Sequence, residues 1–272
     1  MALIAASIVL GGCGGGLGFL SKKEEPVGDS RPPETIYGEA ETLLNEQDYT
    51  KAAKKYEDVD VNHPYSTEAR HAIVMSAYAY YKNGKYPEAI SAGKRYLTLH
   101  PGTDEAPLAQ NIIAMSYYDQ VLDPKRDQTN ARESLKAYQT LAQRYPESRY
   151  AAEAQNRIRI LRNLLAANSM TIGRYYLRDH DYLAAINRFR DVVTEYQQTE
   201  QVEEALMRLT EAYLALGIVN EAETAAAVLG HNFPNSKWYQ RSYSLLQKAG
   251  RTPHEHAGSW ITETFRSEGN PA

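Results

Sequence analysis

The chain has 272 residues, with 30 Lys plus Arg against 34 Asp plus Glu and a formal net charge of −4. That balance excludes the basic surface with which a nucleic-acid binder displaces counterions from phosphates, so no nucleic-acid partner is expected. Hydrophobic residues make up 43%, enough to build a core, and 21 Tyr stand against 4 Phe and 2 Trp, which suits half-buried faces where a ring packs and its hydroxyl stays wet.

The single Cys, Cys13, excludes an intrachain disulfide and a cysteine-based zinc site. Before it, Met1 to Leu10 form an unbroken apolar run followed by Gly11 and Gly12. As a helix ten residues rise about 15 Å, roughly half the hydrocarbon thickness, so the run reads as the core of a signal peptide over 1–12. Leu10-Gly11-Gly12-Cys13 resembles the lipobox of bacterial lipoproteins, with Cys13 as the lipid attachment site and the membrane as a partner through that N-terminal anchor. No Lys or Arg precedes Cys13, which places the expected start upstream of Met1; Gly14, in place of Asp, points to the outer membrane. Residues 13–33 lack periodicity and read as a lipidated, flexible tether ending in Pro32-Pro33.

From residue 34 the chain repeats. Ala52, Ala89, Ser134, Ala185 and Ala222 are equivalent small residues, and twelve residues beyond them stand Pro64, Pro101, Pro146, Gln197 and Pro234. Twelve before the Ala come Ala40, Ala77, Gly173 and Thr210; nine before it come Leu43, Tyr80, Tyr176 and Tyr213; four after it come Tyr56, Tyr138 and Phe189. Small residues where helices cross, large ones beside them and a Pro that ends the second helix describe tetratricopeptide-like pairs. The step from Ala52 to Ala89, and again from Ala185 to Ala222, is 37 residues. Repeat three carries 8 residues more, in the loop around Asp119 to Asn130. Another 14 lie between repeats three and four, where Ser148 to Asp179 has no Pro and reads as one long helix. The expected fold is all-α, a superhelical solenoid of five helix pairs with that helix joining repeats three and four. An N-terminal repeat module over 34–148 and a C-terminal one with a capping helix over 149–248 follow, and the tail 249–272, which loses the pattern, is expected to be mobile.

No P-loop, zinc-protease or nucleophile-elbow motif is present, so no enzyme activity, catalytic residue, cofactor or metal is expected. His254-Glu255-His256 lies in the tail without a further His nearby, and His63 and His100 each precede a turn Pro. What remains is surface. The first helix of each pair lines the groove in such folds, which places Tyr37, His71, Tyr78, Tyr81, Asn111, Met115 and Tyr118 there as a candidate site for an extended peptide. Packing between repeats is the competing role for each of them.

The lipobox, PPETIY, AYYKNGKYPEA, RDQTNARESL, RYPESRYAAEA leading into the long helix and YLAAINRFRDVV arrive in one order from about residue 10 to 248. That ordered set resembles the BamD family, lipoproteins of the outer-membrane β-barrel assembly machinery. The resemblance implies a scaffold anchored on the periplasmic face of the outer membrane. It would bind a POTRA domain of BamA, other Bam lipoproteins and unfolded outer-membrane β-barrel proteins. By the same resemblance Arg188, the Arg of the Asn-Arg pair in repeat four, matches a residue that pairs with an acidic side chain of BamA. The anchor and repeats would equally serve another envelope adaptor, for peptidoglycan or secretion machinery.

Overall fold

The computed structural model describes residues 28–268, so Cys13, the signal segment and most of the tether lie outside the described residues. The order is α1 Pro33–Asn45, α2 Tyr49–Asn62, α3 Thr67–Lys82, α4 Tyr86–Leu99, α5 Ala106–Tyr118, α6 Thr129–Arg144, α7 Ala151–Arg178, α8 Tyr182–Glu195, α9 Val202–Ala215, α10 Val219–Asn232, α11 Lys237–Lys248 and α12 Trp260–Glu268, with no strand among the described residues. Each helix from α1 to α10 packs on the next, α12 packs on α10, and α1 also reaches α3 while α3 reaches α5. The first helices of neighbouring pairs therefore share one face.

The small-residue register marks the helix crossings. Ala40, Ala52, Ala77, Ala89, Ala114, Ala185, Ala222, Ser134 and Thr210 are all fully buried. In pair three the Ser134 hydroxyl donates to the Ala114 carbonyl at 3.0 Å, so the two small positions of one pair touch directly. Tyr56, Tyr138 and Phe189, four residues after the small position, fill the space beside it. A Cβ on Gly93 would fall 2.8 Å from Cγ1 of Ile113, so this glycine lets α4 approach α5.

The turns inside four pairs share one hydrogen-bond geometry. Gln47, Gly84, His180 and Gly217 have φ of 63°, 72°, 63° and 73°. The N–H of the following residue donates back to Leu43, Tyr80, Tyr176 or Tyr213, at 2.9 to 3.0 Å, satisfying carbonyls that the helix end leaves open. Asp48 and Asp181 then cap α2 and α8 by accepting from Lys51 and Ala184. The second helices end alike: the N–H groups of His63, His100, Tyr145, Tyr196 and Phe233 donate to the carbonyl four residues back, and Pro or Gln197 follows. His63 and His100 are these closing residues. The long loop of pair three is held by Gln128, which donates to the Asp123 and Arg126 carbonyls at 3.0 and 2.9 Å, and by Asn168 of α7, which donates to the Pro124 carbonyl.

The long helix, α7, serves two cores. Ala154, Ile158, Leu161 and Leu165 pack with α5 and α6, whereas Ala166, Met170 and Leu177 join the core of α8 to α12. The change-over falls within the helix rather than at the 148/149 boundary expected from the sequence. The tail also differs from expectation. Through residue 268 it is an ordered strap, because α12 puts Ile261 into the last core and packs Trp260 and Phe265 against it. The Trp260 indole N–H donates to the Tyr213 hydroxyl at 3.0 Å, and His256 Nε2 lies 2.7 Å from Glu223 Oε2. Nine residues outside the repeat register gave no periodic signal, yet Trp260, Ile261 and Phe265 dock them on the last core.

Candidate functional site

Ser66 starts α3 by accepting the Ala69 N–H at 3.0 Å, and one turn on His71 leaves the helix towards α5. His71 Nδ1 meets Glu105 Oε1 at 2.7 Å, while Glu105 Oε2 accepts the Tyr96 hydroxyl at 3.0 Å; Tyr96 and Thr103 hydroxyls are 2.7 Å apart. Burial pushes the Glu105 carboxyl up, but its own backbone N–H, the Tyr96 hydroxyl and the charges of His71 and Arg70 outweigh this and hold it below the ordinary carboxylate value. Burial, aided by the Glu105 carboxylate and opposed by the Thr103 hydroxyl and the Arg70 charge, pushes the Tyr96 phenol up to about 12.

Towards α7 the same face carries a second polar cluster. The Tyr81 hydroxyl donates to Asp119 Oδ2 at 2.8 Å, and the Tyr118 ring lies under the Arg157 guanidinium, 4.3 Å from its centroid. Arg157 is fixed from the other side by Glu153 at 2.6 Å, one helical turn away. Tyr118 also packs edge-on to the buried Tyr138, centroids 6.4 Å apart.

Of the sequence-predicted groove residues, Tyr37, His71, Tyr78, Tyr81, Met115 and Tyr118 are partly buried and lie on α1, α3 and α5. Tyr37 packs edge-on to Tyr56 at 5.2 Å. Asn111 is buried, with Nδ2 3.6 Å from Sδ of Met115 one turn on along the same helix, and leaves little open edge. Met115 itself packs against two core clusters. Sequence reasoning missed Glu105, Asp119 and Arg157. Asp119 follows Tyr118 directly and was legible as a polar end to a tyrosine row, whereas Glu105 and Arg157 meet their partners only through tertiary packing. The face therefore offers phenol and imidazole edges held by carboxylates and one guanidinium stacked on a ring. Such groups accept and donate to peptide backbone and stack on side chains.

On α8 Arg188 is exposed and lies 3.5 Å from Asp191, one turn on. Burial pushes the Asp191 carboxyl up against the opposing charge of Arg188. Among the described residues, no cluster of three His, Cys, Asp or Glu could hold a metal, and no helix is long and apolar enough to cross a membrane.

The pattern of the YfiO family, described as outer membrane lipoprotein, matches residues 29–229. The chain belongs to this family. Its relatives include the outer membrane protein assembly factor BamD of Caulobacter vibrioides, 39% identical over 92% of this chain and 80% of the relative. BamD of Rickettsia prowazekii is 34% identical over 90% and 95%, and BamD of Neisseria meningitidis serogroup A 35% identical over 77% and 82%. A fainter likeness among solved structures is to the TPR2AB domain of yeast Sti1 in its pHSP90 complex, with 14% identity, a TM-score of 0.41 and 80% and 84% of the two chains covered. Family membership joins the chain to the outer membrane protein assembly factors, as the resemblance in its repeats implied.

Proposed function

We propose that the protein is a non-enzymatic scaffold of outer-membrane β-barrel assembly, anchored through Cys13 on the periplasmic face. It docks on a POTRA domain of BamA and receives unfolded barrel precursors, with other Bam lipoproteins bound alongside. The observation that carries this reading is membership of the assembly-factor family over most of the helical body. The exposed state of Arg188 supports the docking site: its neighbour Asp191 is a weak partner at 3.5 Å, so the guanidinium remains available to a carboxylate of BamA. The tyrosine face of α1, α3 and α5 supports precursor binding, since its hydroxyls and rings suit an extended segment.

Affinity purification of the tagged protein from solubilised outer membrane, wild type beside Arg188→Glu, tests the reading. BamA should elute with the wild type and be depleted with the variant, by repulsion as well as by loss of the pair. BamA with both would remove Arg188 from the docking site. BamA with neither, from membranes whose control complexes are intact, would favour an adaptor of other envelope machinery.

A further inference from the structure

The last first-helix of the array, α9, and α11 enclose a cleft of about 530 Å³ lined by Met207, Arg208, Glu211, Lys237, Arg241 and Lys248, with Leu245 at its floor. At 3.6 residues per turn, Lys237, Arg241 and Lys248 fall within roughly 40° of one another on α11. All three are exposed, and among the described residues none forms an ion pair. Arg208 differs: Glu204 at 3.3 Å and Glu211 at 2.8 Å balance it, and Glu204 also takes Arg174 at 3.0 Å. Glu203 accepts the Ser236 hydroxyl instead of a cation. The acidic groups around the cleft are thus committed, and three positive charges on one wall are not.

An aromatic ring holds two of those three charges, Lys237 and Arg241, together with Arg208. Arg241, Lys237 and Arg208 stand 4.8, 5.2 and 5.9 Å from the Trp238 ring, and Trp238 packs on the last core. A cation over a ring is oriented without being neutralised, so it keeps its attraction for an anion. Met207 and Leu245 add an apolar floor between the charged walls. Three cations and the apolar Met207 and Leu245 meet in one cleft between two helices, a mixed pattern that favours a segment of chain over a lipid surface.

We infer that the α9–α11 cleft docks an acidic segment of a partner protein, with carboxylates on Lys237, Arg241 and Lys248 and an apolar side chain on Met207 and Leu245. The surface is separate from Arg188 on α8 and does not rest on that contact.

Fluorescence anisotropy of the full-length, detergent-solubilised protein with a labelled peptide of alternating Glu and Leu residues tests this. The triple variant Lys237→Glu, Arg241→Glu, Lys248→Glu should bind the peptide at least about tenfold more weakly, and the corresponding Gln triple about threefold. The affinity of the wild type should fall steeply with salt, as screening predicts. The charge-matched triple Lys54→Glu, Lys82→Glu, Lys125→Glu, at exposed positions on separate elements, should stay within about twofold of wild type. Equal loss in both Glu triples would reduce the effect to net charge and overturn the inference, as would absence of peptide binding by the wild type. Dependence on the three residues for vesicles containing phosphatidylglycerol, but not for the peptide, would overturn it in favour of a membrane-facing patch. Should the Glu triple melt early, the Gln triple decides: peptide affinity equal to wild type rejects the cleft.

Discussion

A Cβ placed on Gly173 of α7 would lie 2.5 Å from Cε1 of Phe189 on α8 and 2.9 Å from Cδ1, and the Phe189 ring is fully buried. Gly173 therefore sets how closely the second half of the long helix approaches its partner. An alanine would gain about 1 kcal/mol of helix propensity but force a packed ring to move, at about 1–3 kcal/mol. Gly173→Ala is expected to lower unfolding free energy by about 1 kcal/mol in urea titration. Gly38 is the control: it sits inside α1 with nothing within 4 Å of an added Cβ, so Gly38→Ala should raise stability by about 0.5–1 kcal/mol.

Gln47 and His180 occupy the left-handed turn position that Gly84 and Gly217 occupy in their own pairs. A side chain there costs about 1–2 kcal/mol, partly offset by the entropy a glycine would lose. Gln47 is exposed, so Gln47→Gly is expected to raise the melting temperature, with a gain of about 0.5 kcal/mol. His180 is tied to its own turn, its Nδ1 2.9 Å from the Tyr182 hydroxyl, so His180→Gly should gain less. The reverse change, Gly84→Ala, should cost about 1 kcal/mol by the same measurement.

The register of Ala52, Ala89, Ala185 and Ala222 made the helix pairs legible because a crossing tolerates only small side chains, and such a constraint repeats wherever the geometry repeats. The turns were half legible. Gly84 and Gly217 advertise their conformation, while Gln47 and His180 adopt it where the bonds from Asp48 to Leu43 and from Asp181 to Tyr176 close the turn. Tyr81 and Tyr118 could be placed on a shared face from spacing, but their partners Asp119 and Arg157 depend on how α5 and α7 meet. Asn111 shows the limit from the other side: its position fits the face, yet the side chain is buried, with Met115 one turn on as its contact.

Glu105 makes acid stability a readout of the α3–α5 face. Its carboxyl lies below the ordinary value in the folded chain, whereas the unfolded chain titrates near about 4.3. The unfolded state thus binds the proton more readily at low pH. The stabilisation from this group is fully present above that unfolded value and is lost as pH falls through the lower, folded one. Glu105→Gln keeps the shape but removes the charge facing His71. It should destabilise by about 1 kcal/mol at neutral pH, and the gap to wild type should narrow below about pH 4.3. A gap unchanged down to pH 3 would mean that the loss comes from packing and not from the charge.

Gln197 stands where the other four closing turns place Pro, and its side-chain amide donates to the Thr264 carbonyl of α12 at 3.4 Å. The departure from the repeat is thus one of the points at which the strap is tied down. The backbone at that turn matches its equivalents, since Tyr196 has φ −133° and ψ 37° against −131° and 55° for Tyr145 before Pro146. Gln197→Pro should therefore fold, changing global stability by less than about 0.5 kcal/mol while speeding amide exchange in α12. Trp260 carries more of the attachment: its ring packs on the last core beside the fully buried Ile261, its N–H donates to Tyr213, and Arg190 lies 4.9 Å from its centroid. Trp260→Ala removes all three contacts and should cost about 2 kcal/mol, releasing α12 from α10. Hydrogen exchange distinguishes the two variants. Fast exchange confined to α12 is expected for Gln197→Pro, and fast exchange spreading into α10 for Trp260→Ala. Protection of α12 unchanged in both would show that Ile261 and Phe265 hold the strap without them.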